Sequence, residues 1–220
     1  MSSVNTRPLE LERYKVIRQD TLAMVRNLTQ AQSEFRPRPG AWSAGEILDH
    51  LVKSQQLYQA QFEKLARLFR NGQRTVLYLD HADIDFGLPF VPKMMMPLLA
   101  APLAVINAFM PSAVREALVR NPLLPAGNPR ASEPRAALPI DELRKALRES
   151  MDSQERFLAA NADLPLEAMR VCHPTMGNND IPALLRISAA HEERHQAQLS
   201  ALFRDPRFPA AFDSHKPEAA

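Results

Sequence analysis

Four stretches of the chain repeat apolar residues every three or four positions, the spacing that places side chains on one face of an α-helix. In the first, from about Leu9 to Leu28, the face is Tyr14, Ile17, Thr21, Val25 and Leu28. The second runs to about Phe69 and carries Ile47, His50, Leu51, Ser54, Leu57, Tyr58, Gln61 and Leu65. The third, from about Pro139 to Ala160, carries Leu143, Leu147, Met151, Gln154 and Leu158. The fourth, from about Ile181 to Phe203, carries Leu184, Ile187, Ser188, His191, His195, Gln198 and Leu202. The pattern predicts an all-α fold built as a four-helix bundle.

The breaks agree with that reading. Arg36-Pro37-Arg38-Pro39-Gly40 interrupts the periodicity, and proline, which fixes φ and lacks an N–H, marks a connection there. Ser43 and Glu46 have capping-box spacing at the start of the second helix. Asp180 or Asn179 is placed to cap the fourth. Residues 72–138 form a long insertion between helices two and three. Its middle, Met94–Met110, carries no charge. A membrane span needs roughly 20 apolar residues; this stretch is slightly short and is interrupted by Pro97 and Pro102. It predicts short kinked helices packed over the bundle, with no stable membrane span. An uncharged, Met-rich stretch needs a cover, and a lid or wall beside an apolar pocket is preferred to a homodimer contact or a lipid-touching patch. The expected organisation is one bundle domain over residues 1–206, including the insertion, and a loosely ordered tail over 207–220.

Composition narrows the function classes. Hydrophobic residues make up 45% of the chain and charged residues 24%, as in ordinary globular proteins. The net charge of +2 is spread rather than gathered into a basic face, which argues against nucleic acid as a partner. The single cysteine, Cys172, excludes an internal disulfide and a multi-cysteine zinc site. The first residues lack the apolar run of a secretory signal, so a cytoplasmic location is expected.

The candidate chemistry lies in the histidines. His191 and His195 are four apart, so both imidazoles project from one side of their helix. His50 lies on the apolar face of another helix. A lone histidine there reads as a satisfied core residue, but three on the inward stripes of two helices are better explained by one shared divalent metal. The run His191-Glu192-Glu193-Arg194-His195 also matches the H-E-x-x-H pattern of zinc peptidases, with Glu192 as general base. Against that minor alternative, the histidine of the metzincin extension is replaced by Ala201. The only downstream ligand candidates, Asp205, Asp213, His215 and Glu218, lie in a short proline-containing tail.

Three segments together resemble the DinB/YfiT-like superfamily. They are Arg36-Pro37-Arg38-Pro39-Gly40-Ala41-Trp42-Ser43, then Glu46-Ile47-Leu48-Asp49-His50-Leu51, then His173-Pro174-Thr175-Met176-Gly177 followed by His191-x-x-x-His195-x-x-Gln198. The resemblance implies a four-helix bundle with a long crossover between helices two and three. It also implies a metal site with His50, His191 and His195 as ligands, for zinc, nickel or a similar ion. Activities in the superfamily include thiol-dependent transfer and isomerisation with low-molecular-weight thiols, and metal-dependent hydrolysis. The implied function is therefore a metal-dependent enzyme acting on a small-molecule substrate, as a thiol S-transferase or a hydrolase. The alternative is a non-catalytic metal- or ligand-binding module of a stress response. No residue is assigned as catalytic, and no organic cofactor is expected.

Five residues carry secondary readings. Trp42 is expected to lock its loop onto the bundle rather than to stack on a ligand. His173 is expected to be structural rather than a proton donor near the metal, and Cys172 inert rather than nucleophilic. Glu192 and Glu193 could orient a ligand, but neighbours of a helical ligand mostly face solvent.

Overall fold

A computed structural model describes residues 8–79, 110–121, 130–173 and 177–210. Within them, α1 spans Leu9–Met24, α2 Gln30–Glu34, α3 Ala44–Arg70, α4 Ser112–Arg120, α5 Ile140–Ala160 and α6 Ile181–Phe203. The four expected bundle helices are α1, α3, α5 and α6. Helix α4 and a 3-10 turn at Arg130–Ser132 fall inside the insertion. Of the apolar stretch Met94–Met110, all but Met110 lies outside the described residues.

Local chemistry sets the boundaries. Ser43 and Glu46 form the expected capping box: the Glu46 amide donates to Ser43 Oγ at 3.2 Å and the Ser43 amide to Glu46 Oε2 at 2.8 Å. Asp180 caps α6, accepting from the Ala183 amide at 2.7 Å. Helix α1 stops at Met24, short of Leu28, because Thr29 and Gln32 form a second capping box that begins α2. Val25 is nevertheless fully buried, so the burial periodicity outlasts the helix. Gly40, at φ +76°, supplies the left-handed turn that leads into Trp42. Gly45 lets α2 lie against α3, since a Cβ there would stand 3.2 Å from the Ser33 carbonyl.

Helical patterning did not foresee a small sheet. It is ordered β1 (Val76–Tyr78), β2 (Arg170–His173), β3 (Gly177–Asp180), with β1 parallel and β3 antiparallel to β2. Strands of three or four residues are too short to show period-two alternation. Leu77 and Val171 join the apolar core from this sheet.

The core is in two parts. One cluster includes Leu11, Tyr14 and Ile17 of α1, Phe62 and Leu65 of α3, Met151 and Leu158 of α5, and Leu184 and Ile187 of α6. The other includes Val25, then Ile47 and Leu51 of α3, Leu143 and Leu147 of α5, and Leu199 and Leu202 of α6. On every bundle helix the sequence between the two clusters carries buried or half-buried polar residues: Arg18 and Thr21, Gln55, Ser150, and His191 to Gln196. The bundle therefore has a polar waist; His191 and His195 belong to it, and His50, within the second cluster's stretch of α3, meets His191 at its edge.

Candidate metal centre

Helix α3 presents His50 and helix α6 presents His191 and His195, as the stripes predicted. Their ligand nitrogens all lie within 4.8 Å of one another, so the group can hold a metal ion. His191 Nε2 is 3.2 Å from His50 Nε2 and 3.1 Å from His195 Nε2. His50 and His195 are buried, and His191 is partly open to solvent.

The hydrogen bonds at the far side of two rings define their protonation. His50 Nδ1 is 2.7 Å from the Ser132 carbonyl, which only accepts, so Nδ1 carries the hydrogen. His195 Nδ1 donates in the same way to Gln198 Oε1 at 2.7 Å. In the neutral ring each Nε2 is then a bare lone pair facing His191. A single N–H on His191 cannot fully satisfy both, and the Ser54 hydroxyl reaches one of them only at 3.5 Å. A cation bound by all three nitrogens satisfies every one. The spacing fits as well: tetrahedral ligands at about 2.0–2.1 Å from zinc stand roughly 3.3–3.4 Å apart, close to the two separations observed.

Electrostatics keep the rings neutral. Burial pushes all three histidines below their ordinary range, His195 down to about 3. Mutual repulsion adds to this at His191 and His195, and the Arg194 guanidinium opposes protonation of each ring. Neutral imidazole is the ligating form.

The surroundings come from four segments. The segment that supplies the Ser132 carbonyl is tied to α3 beside His50. Arg135 donates to Asp49 through its backbone N–H at 2.8 Å and its Nη2 at 2.7 Å, and Lys53 Nζ reaches the Glu133 carbonyl at 2.6 Å. Burial raises the Asp49 carboxyl, but the Arg135 hydrogen bonds and the nearby Lys53 outweigh it and hold the group below its ordinary value. Trp42 packs at 4.9 Å from the His50 ring and lies nearly parallel to the His195 ring at 6.1 Å. It is also packed against the second apolar cluster, as a residue that locks its loop onto the bundle would be. Ser54 Oγ stands 3.5 Å from His50 Nε2.

Glu192 departs from expectation. It does not face solvent: its carboxylate is wholly buried and meets Arg18, itself 1% exposed, through bonds of 2.7, 3.0 and 2.8 Å. Thr21 Oγ1 donates to it at 2.6 Å. A carboxylate so engaged is not available as the general base that the H-E-x-x-H reading requires. Glu193 pairs instead with Arg120 and Arg13 near the surface. Downstream, Asp205 binds Arg207, and Asp213, His215 and Glu218 lie outside the described residues.

His173 ends β2 opposite Gly177 and is not a member of the three-histidine group. Pro174, Thr175 and Met176 lie outside the described residues. Burial raises the Cys172 thiol, against the thiolate a nucleophile needs. Sequence reasoning missed Arg18 and Ser132. The first is a charged residue beside an apolar stripe; the second reaches His50 from the insertion through a backbone carbonyl, which leaves no residue-type signal.

Compared with known proteins, the sequence model of the DinB superfamily matches residues 13–199. No curated protein and no solved structure matches the chain.

Proposed function

The chain belongs to the DinB superfamily, and on that premise we propose that it is a metal-dependent enzyme acting on a small molecule through His50, His191 and His195. The supporting observation is the convergence of three neutral Nε2 atoms at 3.1 and 3.2 Å. Three imidazoles leave one coordination position for water or substrate, the arrangement of a catalytic rather than a structural zinc site. A zinc or nickel ion there would supply a Lewis acid that stabilises hydroxide or thiolate near neutral pH.

The residues have separable tasks. Ser132 and Gln198 hold two rings in the tautomer that ligates. Trp42 walls the site on one side and excludes water from the rings it covers. Ser54 offers a hydroxyl next to His50 for a hydrogen bond to a bound small molecule. The reaction proposed is thiol S-transfer with a low-molecular-weight thiol, or hydrolysis, on a substrate that enters past His191, the most open ring.

The test is metal analysis and calorimetric titration of the full chain, followed by a screen. One arm offers low-molecular-weight thiols with electrophiles; the other offers esters and amides without thiol. About one zinc or nickel ion per chain and turnover in one arm are expected. A chain that takes up no stoichiometric ion would refute the metal reading. A chain that binds the ion and turns over nothing in either arm would be a binding module instead. Among the described residues no helix is long and apolar enough to cross a membrane.

A further inference from the structure

We propose that the buried Arg18–Glu192 pair is the positioning device of the metal centre: it fixes the roll of α6 so that His191 and His195 meet His50. The inference rests on the metal reading above.

Glu192 lies between the two α6 histidines in sequence and points to the opposite partner, α1. A bidentate guanidinium–carboxylate fork is directional in a way that apolar packing is not. Here Arg18 grips both Glu192 oxygens, and Thr21 holds one of them at 2.6 Å. Arg18 is itself held by α5, donating to the Leu147 carbonyl at 2.8 Å and to Ser150 Oγ at 3.0 Å. Ser150 Oγ donates on to Gln55 Oε1 at 2.9 Å, and Gln55 Nε2 returns to the Ser150 carbonyl at 3.2 Å. Gln55 is on α3, five residues beyond His50. A continuous hydrogen-bonded path thus links the helix with two of the histidines to the helix with the third.

The tolerance of the site makes such a path useful. An imidazole nitrogen stands about 6 Å from its helix axis, so a roll of roughly 10° moves it about 1 Å. Ligand distances at a metal are tolerated only within about 0.2 Å. Apolar residues of similar volume would stabilise the bundle at least as well as a buried ion pair. Orientation is what the pair supplies beyond them.

The test uses the full chain with Arg18→Met and Glu192→Leu together, which removes both charges and fills the space. Metal-free protein is titrated with zinc, and the cobalt(II) form is read by its d–d absorption, which reports coordination geometry. The double variant is expected to fold, to bind zinc about 10–100-fold more weakly and to show an altered cobalt spectrum. A folded double variant with unchanged affinity and spectrum overturns this inference and leaves the metal reading intact. A wild-type chain that takes up neither ion overturns both. If the double variant does not fold, Thr21→Val decides. It keeps both charges and removes one hydroxyl from Glu192, and several-fold weaker zinc binding is expected; unchanged binding overturns the proposal.

Discussion

His191 and Glu192 are consecutive residues of α6, yet they head two polar clusters of opposite character. On the α1 side, Glu192 receives Arg18 and Thr21, and the remaining Arg18 donors reach the Leu147 carbonyl, Ser150 and Tyr14. Donors and acceptors match with nothing added. On the α3 side, two lone pairs converge on one ring nitrogen, and the further donor near them, Ser54 Oγ, stands at a long 3.5 Å from His50 Nε2. Burial does not cleanly separate the two: Glu192, His50 and His195 are buried, and His191 is half-buried. Proton count does. A buried polar cluster that closes on itself belongs to the fold, and one that does not points to a ligand.

The largest effect should come from breaking the closed cluster. Glu192→Leu alone leaves the Arg18 charge buried without its partner, and a loss of about 3–5 kcal/mol is expected. Removing Arg18 at the same time should restore most of it, because no charge is then stranded. Urea unfolding of the single and double variants measures this. A single variant as stable as the wild type would mean that Arg18 escapes to water when Glu192 is gone, and the cluster would not be a fixed part of the waist.

The open cluster should respond in the other order. His191→Ala removes one of three donors and is expected to weaken zinc binding on the order of a hundredfold or more, about 3 kcal/mol. It should change the stability of the metal-free protein little, since it relieves the crowding of lone pairs. Calorimetry and unfolding on the same preparation read both. Unchanged affinity would remove His191 from the ligand set, and a large loss of metal-free stability would make the site part of the core.

The third effect is on pH. The folded state holds the three rings below their ordinary value near 6.5, His195 near 3, chiefly by burial. Below 6.5 the unfolded chain therefore binds more protons than the folded chain, and stability must fall as pH falls. The slope approaches about 1.4 kcal/mol per pH unit for each ring that stays neutral. Stability is lost from about 6.5 downward, until the folded rings protonate in turn. Arg18 adds nothing in this window, because it is held above its already high value. Zinc affinity should also persist to lower pH than a free imidazole chelate allows. Metal-free stability that is flat between pH 7 and 5 would contradict the burial of the rings.

The open cluster was legible in the sequence and the closed one was not. His50, His191 and His195 announced themselves because histidine on an apolar stripe is conspicuous and the i, i+4 pair fixes a direction. Capping chemistry gave the starts of α3 and α6 to within a residue. Arg18 stayed hidden because a charged residue beside a stripe ordinarily faces water. Its partner is 174 positions away, on a helix whose rotation no local pattern fixes. The same holds for the Ser132 carbonyl, 82 positions from His50. Trp42 was read as a lock on its loop, and its ring also packs on histidines from α3 and α6 at once, a contact with no local sequence signal. The short sheet escaped because its pairing joins residues 76–78 to 170–172, a contact with no local periodicity.

The smallest effect tests the hydrogen bonds that orient the open cluster. His50 is oriented by a backbone carbonyl, which no substitution removes, whereas His195 is oriented by the Gln198 side chain at 2.7 Å. Gln198→Leu keeps the bulk and removes the acceptor. The His195 hydrogen is then free to shift to Nε2, where it competes directly with a metal. The expected cost is about tenfold in zinc affinity, with metal-free stability changed by no more than about 1 kcal/mol, the net worth of one hydrogen bond. Gln198→Glu should recover the loss, because a carboxylate accepts the same hydrogen more strongly and makes the ring a better donor to the ion. Equal affinity in all three proteins would show that Trp42 packing alone orients His195. A loss in Gln198→Leu that Gln198→Glu does not repair would point to the amide's role as a donor to something else in the site.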